Sequence, residues 1–280
     1  MIDIRQSKNY ANYLFSLGWK VERIKEVNYF IRELSIIGSV LKIQRPEKID
    51  FTSMNRIIQK YRVFQIIIEP KNQNDAVSCM RYGFKLSKNP YLPTKTLHLN
   101  LTKPLRFKKE TRRCIRIGEK TTIKEYSTPT EIKTFREAWK KSVKFTRFVP
   151  RTEQLINLRK SFLEHPHLEG KNHSIFLASH NDSSGAIFIR TKDIAYYWQA
   201  FTNSEGRTSL SQYTLLYQGI LWAKKQGCKI FDFEGIFDPR FPNKSWLGFT
   251  HFKRSFGGYE VTYPGCYIKT NWPNIFPHFR

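Results

Sequence analysis

DIAYYWQAFTNSEGRTSLSQYTLLYQGILWAKKQGCKIFDFEGI, residues 193–236, is the stretch on which the fold turns. Its first nine residues read as an aromatic-rich strand. Residues 210–227 form a strongly amphipathic helical pattern that stops at Gly227, the residue type that ends helices most readily. KIFDFEGI (229–236) then reads as a buried strand carrying two carboxylates, Asp232 and Glu234, near its end. Strands alternating with helices are an α/β pattern. A carboxylate at the end of a sheet strand is a common place for chemistry.

Working outward, SIFLASH (174–180) and SGAIFIR (184–190) pair as antiparallel strands through NDSS, next to DIAYYWQAF in the same sheet. Upstream lie two helices. EIKTFREAWKKSVKF (131–145) places Ile132, Phe135, Trp139 and Val143 at core spacing, and TEQLINLRKSFLEH (152–165) is the second. The first third is a looser version of the same theme. Residues 8–17 form a helix ending at Gly18, VNYFIREL and SVLKIQRP are strands, SMNRIIQKYR is a helix and QIIIEP is a short apolar strand. NDAVSCMRYG fits a helix capped by Asn74 or Asp75, and TKTLHLNL is another strand. The order helix, helix, hairpin, strand, helix, strand resembles a GNAT acyltransferase domain. The expectation is an α/β (α+β) chain of two tandem GNAT-like domains, with mixed, largely antiparallel sheets flanked by helices. The first, shortened, spans 1–115 and the second 116–280.

Charge is the anomaly in composition. The 280 residues hold 48 Lys and Arg against 23 Asp and Glu, a formal +25, yet 40% are hydrophobic and 15% aromatic. That apolar content excludes general disorder, and the excess charge points to a polyanion: nucleic acid, a phosphate-rich metabolite or an anionic membrane surface. A general basic bias is the plainer alternative. The excess is uneven: residues 103–151 carry 16 bases and 5 acids, against 17 and 8 before them and 15 and 10 after. Within KKETRRCIRIGEK, Lys109, Arg112, Arg113, Arg116 and Lys120 recur at spacings of three and four, one face of a helix, with Cys114 and Ile117 turned to a core. A solvated face and a phosphate-contacting ridge both fit that spacing.

Other classes are weaker. No run of about 18 apolar residues could span a bilayer, and the first residues lack the apolar core of a signal peptide. Cys79, Cys114, Cys228 and Cys266 are far apart, which fits buried thiols in a reducing compartment. His165 and His167 make an HxH with no third ligand nearby, too little for a metal site. A cytoplasmic protein with no cofactor is expected.

Residues 196–241 together with SWLGFTHFKRSFGGYEVTYPGCYIK (245–269) resemble the C-terminal half of the FemABX aminoacyltransferases, which build peptidoglycan interpeptide bridges. KTLHLNL with TRRCIRIGEK resembles the strand and basic helix that join the family's two GNAT-like domains, and QSKNYANYLFSLGW its opening helix. The resemblance implies transfer of an amino acid from aminoacyl-tRNA to an amine on the stem peptide of a peptidoglycan precursor, lipid-linked or nucleotide-linked, with peripheral contact at the inner membrane surface. Such chemistry needs the ester held beside the amine, a cation or dipoles for the tetrahedral oxyanion, and a route for the amine proton.

Phe252 and Lys253 match the family's Phe-Lys pair, which implies that Lys253 stabilises the reacting ester or its tetrahedral intermediate. A surface lysine in a short helical turn is the plainer reading. Glu69, closing IIIEP, matches an acidic substrate contact and could orient or deprotonate an amine; capping the next turn is its alternative. Asp232, Tyr197, Tyr213, Arg147 and Arg151 are the implied substrate contacts, and Lys109, Arg112, Arg113, Arg116 and Lys120 the implied tRNA contacts. Glu234 stands where the family commonly has Gly, and Leu14 and Phe15 stand where its opening helix often has a phosphate-binding Lys. Two other classes stay open: an acyl-CoA-dependent GNAT enzyme acting on another amine, and a non-catalytic tRNA or nucleic-acid binder. Against the first, NSEGRTSLSQ has a single glycine where a pyrophosphate loop would need several. Against the second, most aromatic residues fall at core spacing rather than among the bases.

Overall fold

The computed structural model describes residues 1–34, 38–143, 148–163 and 173–270. The chain divides into two compact units. One comprises Ile2–Lys95, Asp238–Pro242 and the chain from Thr262 onward; the other comprises Thr96–Phe237 and Asn243–Val261, with Met1.

The N-terminal unit runs α1 (Lys8–Ser16), β1 (Lys20–Ile24), β2 (Val27–Leu34), β3 (Gly38–Gln44), α2 (Phe51–Lys60), β4 (Val63–Glu69), α3 (Gln73–Arg81) and β5 (Lys85–Leu86). Each helix starts at a side chain that accepts a free N–H of the first turn. Ser7 accepts from Tyr10, Asp50 from Ser53 and Asn72 from Asp75. The cap of α3 is therefore Asn72 and not Asn74 or Asp75, because only Asn72 precedes the first turn with its carbonyl oxygen on that N–H. α1 stops before Gly18, whose φ of 81° suits the left-handed exit.

The second unit runs β6 (Lys95–Asn100), α4 (Lys109–Gly118), β7 (Ile123–Glu125), α5 (Pro129–Ser142), α6 (Thr152–Ser161), β8 (Ser174–Ser179), β9 (Ser184–Arg190), β10 (Ile194–Thr202), α7 (Ser204–Thr208), α8 (Ser211–Lys225), β11 (Ile230–Gly235), α9 (Leu247–Ser255) and β12 (Tyr259–Thr262). Its sheet has the order β12-β6-β11-β10-β9-β8-β7. β10 and β11 are parallel; β6–β11, β10–β9, β9–β8 and β8–β7 are antiparallel. The final strand, β13 (Tyr267–Thr270), returns to the N-terminal unit and completes the order β1-β2-β3-β4-β13-β5, with only β3–β4 parallel. Each sheet thus contains a parallel pair, β3–β4 or β10–β11, with antiparallel neighbours on both sides.

Leu215, Leu216, Ile220 and Ala223 of α8 bury against Phe188, Phe231 and Phe233 of the second sheet; Tyr29, Ile31, Leu41, Ile66 and Ile68 centre the first core. In α8, Gly219 is a packing requirement, since a Cβ there would lie 2.2 Å from the fully buried Phe188 ring. Gly219→Ala is expected to destabilise the protein by about 1–3 kcal/mol in urea unfolding; an unchanged midpoint would show that the ring is not seated against the helix.

Sequence expectation put the domain division after residue 115. The compact units instead divide between Lys95 and Thr96, with α4 wholly inside the second. Thr111, Cys114, Ile115 and Gly118 explain the difference: they are the buried face of α4, and Thr214 of α8 donates its hydroxyl to the Ile115 carbonyl at 3.1 Å. In α5, Ile132, Phe135 and Trp139 are buried as their spacing indicates, whereas Val143 is an extended, partly exposed C-cap. Arg147, His165 and His167 lie outside the described residues. Among the described residues no helix is long and apolar enough to cross a membrane.

Candidate active site

The site grows from the ends of β10 and β11. Their parallel ladder pairs Ile194, Ala195 and Tyr196 with Ile230, Phe231 and Asp232 and goes no further. Beyond it β10 shifts register against β9 between Tyr197 and Gln199, and β11 shifts against β6 between Asp232 and Gly235. Bulges of this kind re-aim side chains at strand ends. Here they re-aim Tyr197 and the Asp232–Gly235 segment.

α9 brings Lys253 to this place. Phe237 N–H donates to Thr250 Oγ1 at 2.8 Å, which ties the helix to the exit of β11. Lys253 is only 8% exposed, and its Nζ donates to the Gly235 carbonyl at 2.7 Å. The ammonium lies 4.9 Å from the centre of the Phe249 ring and 5.7 Å from that of Tyr197. Burial pulls its pKa down to about 8, opposed first by Glu234 and then by Asp232. The plainer reading of Lys253, an exposed lysine in a helical turn, does not survive this burial. Phe252 packs edge-on against Tyr213 at 4.9 Å, and Tyr213 stacks on Phe256 at 5.7 Å.

Tyr197 is buried, which raises the pKa of its phenol, and its oxygen accepts from Gln212 Nε2 at 2.5 Å. Gln212 Oε1 is buried with no hydrogen-bond donor among the described residues. Asp232 is held by its neighbours: it accepts from the N–H of Glu234 at 2.7 Å, lies 3.2 Å from His98 Nε2 and has the Thr96 hydroxyl against it. A side chain so engaged shapes the strand end. Lys253, Phe252, Tyr197, Tyr213 and Asp232 therefore belong to one neighbourhood. Arg151 is exposed at the N-cap of α6, where its backbone N–H donates to Gln154, and no described contact joins it to that group.

The basic face of α4 is present as its spacing indicated. Lys109, Arg112, Arg113, Arg116 and Lys120 are all exposed; Arg113 makes a solvent-facing pair with Glu110 at 3.5 Å. On the buried side, the Thr111 hydroxyl donates to the carbonyl of Ser255, the last residue of α9, at 2.7 Å. The helix that carries the bases is bonded to the helix that carries Lys253.

Glu69 lies in the N-terminal unit. It ends β4 beside Gln44 of β3, is buried, and accepts from Gln44 Nε2 at 2.9 Å and from the Leu92 N–H at 2.5 Å. Near it, Lys42 Nζ lies 5.0 Å from the Trp19 ring centre and 4.8 Å from that of Tyr91. Burial lowers the Lys42 pKa, and Glu69 opposes the shift. Lys42, Trp19, Tyr91 and Gln212 were not singled out from sequence, because each is an ordinary residue locally and acquires its partners from distant segments.

α8, at whose start a CoA enzyme would hold pyrophosphate, begins at its N-cap Leu210 with no side-chain cap, and the turn of α7 before it is internally bonded. The N–H groups of Gly206 and Arg207 donate to Asn203, that of Ser209 to Glu205 and that of Leu210 to Arg207.

No family model and no curated protein matches the sequence. Solved structures do match the fold. FemX superposes with a TM-score of 0.77 at 16% identity, covering 96% of this chain and 92% of that one. The C-terminal DUF2156 domain of a protein described as a lysylphosphatidylglycerol synthetase, from Agrobacterium fabrum, gives 0.61 at 12% identity over 96% and 89%. A tandem GNAT protein from the clavulanic acid biosynthesis pathway gives 0.51 at 8% identity over 88% and 83%. The chain has a FemX-like, tandem GNAT-type fold.

Proposed function

We propose that the protein is an aminoacyltransferase that moves an amino acid from aminoacyl-tRNA to an amine on the stem peptide of a peptidoglycan precursor. The observation that carries this reading is the coupling of two features in one unit: a buried lysine at the splayed ends of β10 and β11, and a basic helix bonded to the lysine's own helix. An RNA-borne ester needs both, a phosphate-binding ridge and a cation for the developing oxyanion. The FemX-like fold supports the same chemistry.

In the reaction the acceptor amine attacks the ester carbonyl, a C–N bond forms, and the carbonyl oxygen gains negative charge. The Lys253 ammonium stabilises that charge in a site where burial strengthens electrostatics. As the intermediate collapses, the C–O bond to the tRNA ribose breaks and the amine proton ends on the departing hydroxyl. Glu69, buried and held by Gln44 and the Leu92 N–H, remains a proposed contact for the precursor. Arg147 and Arg151 remain proposed anchors for its phosphates. The single glycine before α8, where a pyrophosphate loop needs several, favours tRNA over acyl-CoA as donor. The protein would then work in the cytoplasm, at the membrane face when its precursor is lipid-linked.

The test is to incubate the protein with mixed charged tRNAs and lipid-linked or nucleotide-linked muropeptide, with phosphatidylglycerol as a competing acceptor. Muropeptide is expected to gain the mass of one amino acid residue. Gain on the lipid alone would replace the acceptor, and consumption of acetyl-CoA alone would replace the donor.

A further inference from the structure

The outward face of α9 and of the turn that leads into it combines apolar surface with positive charge. Lys244, Leu247, His251 and Arg254 recur at spacings of three and four and are all exposed, Leu247 by 50%. The opposite face carries Thr250 and Lys253, which are buried. At the leading end Trp246 is partly exposed, with its ring 5.3 Å from that of Phe249. The next exposed residue, Gly248, has open space where a Cβ would point. From Asn243 to Tyr259 the chain holds Lys244, His251, Lys253 and Arg254 and no Asp or Glu. Glu260, the first acid after it, pairs with Arg254 at 2.6 Å, and Lys244 faces solvent.

We propose that this face docks on an anionic lipid bilayer, with Trp246 and Leu247 entering the headgroup zone and Lys244 lying among the lipid phosphates. An indole and a leucine at the tip, basic side chains along the same face and no acid among them are what a helix lying in a charged membrane interface needs. The excess of +25 over the whole chain makes an extended anionic surface the complementary partner. The proposal deepens the acyl-transfer reading above and rests on it for its purpose. Contacts run from Trp246 to Phe249 and from the Phe249 ring to Lys253 Nζ at 4.9 Å. A single ring separates the docked tip from the reacting ammonium, so a lipid-linked precursor meets Lys253 at the bilayer surface.

The experiment is flotation of the purified protein with vesicles of phosphatidylglycerol and phosphatidylcholine in equal parts, or of phosphatidylcholine alone, without tRNA or muropeptide. Wild type is expected to float with the anionic vesicles and much less with the neutral ones. Trp246→Ser combined with Leu247→Ser keeps every charge and should weaken binding by about tenfold or more. Lys244→Gln should weaken it by about fivefold. Met80→Ser combined with Leu86→Ser removes exposed apolar side chains of the N-terminal unit and should bind as wild type does. The Trp246 share of the fluorescence, read as wild type minus Trp246→Phe, should be quenched by brominated lipid. Absent flotation, equal flotation with neutral vesicles, an unaffected double-serine variant or an unquenched Trp246 each overturns the proposal. A wild-type dimer in light scattering that the double-serine variant dissociates also overturns it, and gives the face to a second copy of the chain. If that variant does not unfold cooperatively in urea, Leu247→Gln decides. The vesicles carry no substrate, so a failed transfer assay and a failed flotation are separate outcomes.

Discussion

Lys253→Met is expected to lower transfer by at least about 100- to 1,000-fold, the loss typical of removing one oxyanion-stabilising group, while the protein stays about as stable as wild type at pH 7. The stability half follows from the burial of the ammonium. In the folded state its pKa is about 8, below the ordinary lysine value, so the folded chain holds the charged form less well than the unfolded chain does. That penalty is fully present below pH 8 and is relieved as pH rises from there through the ordinary range near 10.4. About two units correspond to roughly 3 kcal/mol. Methionine removes the penalty but leaves the Gly235 carbonyl without its donor, which costs about 1–3 kcal/mol. The two nearly cancel. Wild-type stability should therefore rise between pH 8 and 10 while the variant stays level, and wild-type transfer should decline over the same interval as Lys253 loses its proton. A variant that transfers normally removes Lys253 from the chemistry. One that unfolds at pH 7 makes the lysine structural.

The second large effect belongs to the ridge. Replacing Arg112, Arg113 and Arg116 together with Gln should reduce the slope of log affinity for tRNA against log salt by about 2–3, because each lost phosphate contact removes 0.7–0.9 of slope. Affinity at low salt should fall by about tenfold or more. All three are exposed and face away from the α8 contact, so unfolding should move by no more than about 0.5 kcal/mol. The matched control replaces Lys160, Lys192 and Lys225, also exposed, and should change the slope less. Equal effects from the two triples would reduce the ridge to general charge.

Much of this was legible in the sequence, for local reasons. The α8 pattern and its Gly227 stop, the hairpin of β8 and β9, and the outward face of α4 are all set by spacing within one segment. What was hidden depends on partners far along the chain. β13 enters the first sheet between β4 and β5, pairing Tyr267 with Ile68, and nothing in YIKT announces a strand whose partners lie some 200 residues earlier. The left-handed Glu234 is imposed by a bulge against β6, where Thr96 reaches Asp232 and the Glu234 carbonyl. Sequence marked Asp232 as a strand-end carboxylate but could not show that its own neighbours engage it. Likewise Lys253 read as half of a Phe-Lys pair or as a surface lysine in a helical turn, and only the fold shows that it is buried on the Gly235 carbonyl.

The most direct measurement is a single incubation of purified protein with charged tRNAs, labelled acetyl-CoA and muropeptide, followed by mass spectrometry of the acceptor before and after ribonuclease treatment of the donor. The predicted result is one amino acid residue added to the muropeptide, lost when the tRNA is digested first and lost in Lys253→Met. An unmodified muropeptide with label from acetyl-CoA transferred to it or to another amine would contradict the account.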